Sequence, residues 1–364
     1  MTSVVDPVDP AGPAGPGGHP NTGDEPRPAA ATEPIVGAAP RRHSRRVSVV
    51  SYLATVFVLV TFNFALPRLM PGDPIDALMA FGSPNYVSDD ETRANLAEYY
   101  DLDESIPEQY VGYLGGLATG DFGVSIVSNT PVSEELVPRL GWSFLLIVSA
   151  MVIAAAIGLP AGVHSGWKRG RGVDRGLLGF FLSVQNLPVF FVASVALVVL
   201  SAQLGIFPLG GATDHLSQYT GLTWVLDVAH HLALPALLMG LDFATYEYLV
   251  MRSSMVSELG ADYLLGGRAK GVAERRLKYR YAGRNAVLPV VTVIGLQFSL
   301  AVTGLVFIEQ VFSYPGVGGY LFDAVGTRDY PAMQAAFLVL TVTVVTTNLV
   351  VDALSRRLDP RTAV

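Results

Sequence analysis

The sequence predicts an all-α polytopic membrane protein with six transmembrane helices and both termini cytoplasmic. Three observations predict it. Only 15% of the 364 residues are charged and 51% are hydrophobic, whereas a soluble domain carries about 25% charge. Six separate stretches are apolar over the roughly 20 residues that a spanning helix needs. The basic residues, finally, are concentrated in alternate loops, the pattern that arises when Lys and Arg are retained on the cytoplasmic side.

Residues 1–44 stand apart from this patterning. Nine prolines, at positions 7, 10, 13, 16, 20, 26, 28, 34 and 40, are mixed with Gly, Ala, Asp and Thr. No apolar period is present to offset the entropy of ordering, so a disordered cytoplasmic tail is expected. The cluster Arg41, Arg42, Arg45, Arg46 runs straight into an apolar stretch without a cleavage-like stop, unlike a secretory signal.

The bundle is expected over residues 45–361, with spans at about 48–66, 142–163, 177–204, 231–251, 286–308 and 332–354. The third is interrupted by Gln185, Asn186 and Pro188, and the fourth holds Asp242 and Glu247. Loop charge sets the orientation. Nineteen basic residues lie just before span one, between spans two and three, between four and five, or after six; the other loops hold only Arg68, Arg93, Arg139 and Arg328. The loop 252–285 is therefore cytoplasmic. It is the most basic, with Arg252, Arg268, Lys270, Arg275, Arg276, Lys278, Arg280 and Arg284. The loop 67–140 is extracytoplasmic and too long for a simple connection. Its amphipathic stretch Glu108–Leu117 predicts a short helix on the outer face, or else a partly ordered loop that caps the bundle.

Several chemistries are excluded. With no cysteine there is no disulfide, thiol catalysis or thiolate metal site. Gly266–Gly271 lacks the GxxxxGK[ST] order that cradles phosphate. Gly316-Val317-Gly318-Gly319 lacks the preceding strand of a dinucleotide loop. The six histidines form no HExxH pair, and no Ser/His/Asp set stands out. No catalytic residue, metal site, bound cofactor or nucleic-acid partner is expected. Polar residues inside spans are the remaining candidates, because burial there is costly. Asp242 and Glu247 are about 140° apart on a helix; they line a substrate path or serve packing. Gln185 and Asn186 line a path or mark a simple kink. Glu309, at the outer end of span five, is counted with these residues as a candidate for the path, although its place reads as interfacial rather than as a proton relay.

Five blocks then carry a resemblance: LPRLMPGDP (Leu66–Pro74), QYVGYLGGLATGDFGVS (Gln109–Ser125), the stretch from Met251 to Thr292, FIEQVFSYPGVGGYLFDAVGTRDYPAMQ (Phe307–Gln334) and LDPR (Leu358–Arg361). In this order and at these topological positions the chain resembles the permease subunits of ABC importers in the dipeptide/oligopeptide/nickel family. The resemblance implies a type I importer transmembrane domain in the cytoplasmic membrane of a bacterium. It implies a sister permease completing a heterodimer, two ATPase subunits that hold ATP and Mg, and an extracytoplasmic substrate-binding protein. Asp262–Gly271 would be the coupling element that docks on an ATPase, with Asp262, Arg268, Ala269, Lys270 and Gly271 as its residues. Gly271 would end the helix, and the Gly266-Gly267 pair predicts a short one. The implied cargo is a di- or oligopeptide, with a nickel chelate as the alternative within the family. A proton-coupled secondary transporter using Asp242 and Glu247 is the alternative from another class.

Overall fold

The computed structural model describes residues 45–70, 94–95, 103–214, 217 and 219–358. The expected tail, residues 71–93 and 96–102 of the loop after the first span and the LDPR block beyond Leu358 lie outside these residues. The described residues belong to one unit, His43–Val364. Among them every regular element is helical, apart from one isolated antiparallel bridge between Val124 and Pro131.

Helix α1 (Arg45–Leu69) is the first span. Helix α2 (Ile106–Thr119) realises the amphipathic stretch. It starts at a capping box, in which the Glu108 carboxylate accepts from both the backbone N–H (3.1 Å) and the hydroxyl (2.6 Å) of Ser105. Those bonds hold Glu108 below its ordinary pKa. The helix is fixed to α1 by Tyr110 and Tyr113, whose rings lie 5.0 and 5.5 Å from that of Phe64. Tyr113 also accepts from the Asn63 amide at 3.1 Å.

Helices α3 (Val132–Trp167) and α6 (Leu222–Glu258) form the spine. At 1.5 Å per residue each is roughly 54 Å long, far beyond the roughly 30 Å of a bilayer core. The spans expected at 142–163 and 231–251 are therefore only their apolar middles. The two helices meet along Gly158, Gly162 and Gly166 of α3, which succeed one another at every fourth position. A Cβ at Gly162 would lie 2.7 Å from the Met251 Cβ and 2.9 Å from the Tyr248 carbonyl oxygen. Gly158 meets Ala244 and Glu247 in the same way, and Gly166 meets Met255 and Arg252. Small residues at this spacing allow backbones to touch in lipid, where van der Waals packing rather than hydrophobicity drives association.

The third expected span is two helices, α4 (Gly172–Gln185) and α5 (Val189–Gln203, π-helical from Leu197), bent 94° from each other. The break follows from sequence. Pro188 has no N–H to continue the ladder, and the Asn186 amide turns back to donate to the Leu182 carbonyl at 2.6 Å.

Helix α7 (Asp262–Ala269) is short and separates α6 from the next span. A turn at Glu274–Arg276 and a π-helical stretch Leu277–Ala282 lead into α8 (Gly283–Val311). Helices α9 (Val317–Thr327) and α10 (Tyr330–Leu358) complete the chain. Among the described residues five helices are long and apolar enough to cross a membrane, and the bent pair provides a sixth crossing if it is one span. The central core joins α3, α6 and α8 through Leu146, Ala150, Phe243, Tyr248, Leu305 and Ile308. At one end Val132 and Leu136 pack on α9 and α10; at the other, Met251 and Met255 pack on α7 and the start of α8.

Candidate functional site

Helix α7 begins after Ala261, which is extended at φ −73° and ψ 135°, and ends where Gly271 takes φ +71°. That left-handed conformation favours glycine. It lets the N–H groups of Gly271 and Val272 reach back to the carbonyls of Arg268 (2.9 Å) and Gly267 (3.0 Å), satisfying the last turn. One face of α7 is fixed. Leu264 is fully buried, and a Cβ at Gly267 would lie 2.6 Å from the Leu277 Cδ2. The other face is open: Asp262, Leu265, Arg268, Ala269 and Lys270 are all exposed. Arg268 reaches Glu274 at 3.4 Å and lies 5.8 Å from the Trp167 ring. Tyr263 donates to the Glu258 carboxylate; burial first, and that carboxylate second, push its phenol above the ordinary value.

The basic residues of this segment divide into two sets. Arg252 and Lys278 face inward. Arg252 grips Asp174 of α4 with two bonds, Nε at 2.6 Å and Nη2 at 2.9 Å. Asp174 also accepts from the Ser165 hydroxyl (2.5 Å) and the Gly170 N–H (2.8 Å). Since Ser165 donates to Asp174, Tyr248 donates to Ser165, at 2.7 Å. Lys278 is buried with its Nζ 2.8 Å from the His164 Nδ1; an ammonium can only donate, so that nitrogen accepts. Arg268, Lys270, Arg275, Arg276, Arg280 and Arg284 remain on the surface.

The polar residues of the spans do not form one site. Gln185 and Asn186 are exposed at the α4–α5 bend. Asp242 is partly buried on α6. Glu247 is fully buried at the α3–α6 seam, and neither of its carboxyl oxygens has a hydrogen-bond partner among the described residues. Glu309 is buried as well, rather than interfacial as its place at the end of a span suggests. Its Oε1 accepts from the Ser143 hydroxyl (2.6 Å) and its Oε2 from the Gly319 N–H (2.9 Å), while Ser143 accepts from the Val317 N–H (2.8 Å). Glu309 thus closes the N-terminus of α9 with a carboxylate, which the helix dipole favours. A Cβ at Gly316 would land on that carboxyl group. Among the described residues no group of three or more His, Asp or Glu side chains converges to hold a metal.

This arrangement is a bundle of spans with the short helix α7 exposed along one face at one end. The family described as "Binding-protein-dependent transport system inner membrane component" matches residues 158–364, a segment that contains α7 and the helices holding it. The chain belongs to this family. The permease is 34% identical to the dipeptide transport system permease protein DppB of Escherichia coli (strain K12), with 87% of this chain and 97% of that protein covered. It is 33% identical to the di/tripeptide transport system permease protein DppB of Pseudomonas aeruginosa, over 85% and 95%. It is 34% identical to the oligopeptide transport system permease protein AppB of Bacillus subtilis, over 83% and 93%.

For this permease the sequence located α7, its terminating glycine and the break at Pro188. It missed the Asp174–Arg252 clamp, because the partners are 78 residues apart and Arg252 reads only as one charge of a basic loop. It also missed the glycine seam, although Gly158, Gly162 and Gly166 are visible as a GxxxGxxxG pattern. That signal alone was sufficient to find it.

Proposed function

We propose that this permease is one half of the translocation path of an ATP-driven importer of di- and oligopeptides, with α7 and both termini in the cytoplasm. A sister permease completes the path. Two ATPase subunits sit against the α7 end and carry the ATP and Mg, and a substrate-binding protein delivers cargo at the α9 end. The observation that carries this reading is α7 itself. A helix anchored on one face by Leu264 and Gly267, and bare on the other at Leu265, Arg268 and Lys270, is built to transmit force to something it docks on. Closure of the ATPases would move α7, and with it α6, between inward- and outward-open states. The peptide cargo is supported by the relatives, whose names specify dipeptides, di/tripeptides and oligopeptides.

The test is uptake of a labelled dipeptide into proteoliposomes that contain the complete transporter, its binding protein and enclosed ATP. Uptake should require ATP and persist with a protonophore present. Arg268→Glu and Gly271→Val should each remove ATP-dependent uptake while the protein still inserts. The buried, unpartnered Glu247 supports a second reading, proton-coupled transport, which predicts the reverse: uptake without ATP that collapses with the protonophore. Excess nickel chelate that competes with the dipeptide would favour the metal branch of the family.

A further inference from the structure

Next to α7 the surface has an amphiphilic shape. A cavity of about 780 Å³ is lined by Tyr263, Arg280, Tyr281, Arg284, Val287 and Leu288, with Asn285 completing its floor. The π-helical stretch Leu277–Ala282 sets the phase of its basic edge. It turns Lys278 inward and leaves Tyr279, Arg280 and Tyr281 exposed in succession. Arg280 and Arg284 have no ion-pair partner among the described residues. The nearby Glu258 is engaged by the Tyr263 hydroxyl.

From Arg284 the exposed positions continue along one ridge of α8 at every fourth residue, through Leu288, Thr292, Leu296 and Leu300. Two guanidinium groups therefore stand directly above an apolar track. Depth identifies the occupant. The apolar run of this span starts at Ala286, so at 1.5 Å per residue Arg284 lies about 3 Å and Arg280 about 9 Å above it. The headgroup layer on each face of a bilayer is roughly 5–8 Å thick. Arg284 sits within it and the Arg280 backbone at its outer edge, from where a long side chain reaches back into the layer, and Leu288 to Leu296 span about 12 Å beneath, most of one leaflet's hydrocarbon depth. A soluble ATPase cannot reach that track. An anionic phospholipid meets both halves of it, phosphate to arginine and acyl chain to leucine.

We propose that Arg280 and Arg284, flanked by Tyr263, Tyr281 and Asn285, form a binding site for the headgroup of an anionic phospholipid whose acyl chain lies along Leu288 and Leu296. Because Tyr263 belongs to α7, the lipid touches the element assigned to ATPase docking. The site stands without the peptide assignment and requires only that α8 crosses a bilayer.

The test uses the complete transporter in nanodiscs of phosphatidylcholine with a minor fraction of phosphatidylglycerol, and native mass spectrometry of the lipids retained. The wild type should retain phosphatidylglycerol in preference to phosphatidylcholine, and excess inorganic phosphate should not displace it. Arg280→Gln/Arg284→Gln should lower retention roughly 30-fold, the expectation for two arginines at an anionic surface. Arg280→Lys/Arg284→Lys should restore most of it, which separates loss of charge from loss of fold. Arg169→Gln/Arg171→Gln, at the same end of the bundle, should leave it unchanged. Equal loss in that control would reduce the effect to general attraction for anionic membranes and overturn the site. Absence of any preference in the wild type would overturn it too. Dipeptide uptake is not read in this experiment, so its outcome is independent of the transport assignment.

Discussion

Replacing Asp174 by Ala removes the acceptor of four hydrogen bonds: two from Arg252, one from the Ser165 hydroxyl and one from the Gly170 N–H. The Asp174 side chain is 3% exposed and that of Arg252 is 23% exposed. Breaking a buried ion pair from one side costs about 3–5 kcal/mol. Arg252 regains some hydration when its partner is lost, so Asp174→Ala belongs at the lower end, about 3 kcal/mol. Arg252→Ala leaves a nearly dry carboxylate with only Ser165 and Gly170 as donors, and should cost about as much. The double variant should be less damaged than the two singles combined, by about 2 kcal/mol, because both singles destroy one interaction. Arg252→Lys should not rescue, since an ammonium cannot reproduce the forked grip. The assay is the midpoint of thermal loss of monodisperse protein in detergent, which should fall by roughly 5–10 °C in each single variant. Additive single effects, or an Arg252→Ala midpoint equal to that of the wild type, would refute the clamp.

Other expectations follow from the same geometry. Gly162→Ala places a methyl group 2.7 Å from the Met251 Cβ and should cost about 1–3 kcal/mol through overpacking; an unchanged midpoint would mean that the α3–α6 contact is looser than described. Glu309→Ala should destabilise by about 2–3 kcal/mol by leaving the Ser143 hydroxyl and the Gly319 N–H without an acceptor. Glu309→Gln should recover only part, which the same melting assay would show. Glu247→Met should raise the melting midpoint, because an unpartnered buried carboxyl group is replaced by an apolar side chain of similar length. If that variant melts higher yet no longer transports, Glu247 serves the path; if uptake is intact, it does not.

The order of the elements was legible because each span announces itself by apolar length, and Pro188 and Gly271 act locally through a missing N–H and a left-handed turn. The ends of α3 and α6 were not legible. A hydropathy window stops where polar residues begin, at Arg139 or His164, whereas a helix continues until its backbone bonds are interrupted. The site residues divide along the same line. The exposed face of α7 could be read as charge in a short segment. The burial of Glu309 could not, because its partners Ser143 and Gly319 come from two other elements, and nothing at position 309 itself distinguishes a capping carboxylate from an interfacial one. The clamp was hidden for that reason too: Arg252 counts correctly as one loop charge, and only the packing of α4 against α6 shows that Asp174 neutralises it.

The contact of Gly158, Gly162 and Gly166 with α6 has a mechanical consequence. With no side chain on the α3 side of the joint, the two backbones stand close enough for little to compress between them, and the pair behaves as one laminated beam. Helix α6 is 37 residues long, or about 55 Å. A tilt of about 5° at one end of such a beam carries the other end sideways by about 5 Å, nearly a full helical turn. Stiffness along the seam would thus serve as leverage: a small displacement at Asp262–Ala269 would arrive at the far mouth of the bundle as an opening on the scale of a side chain.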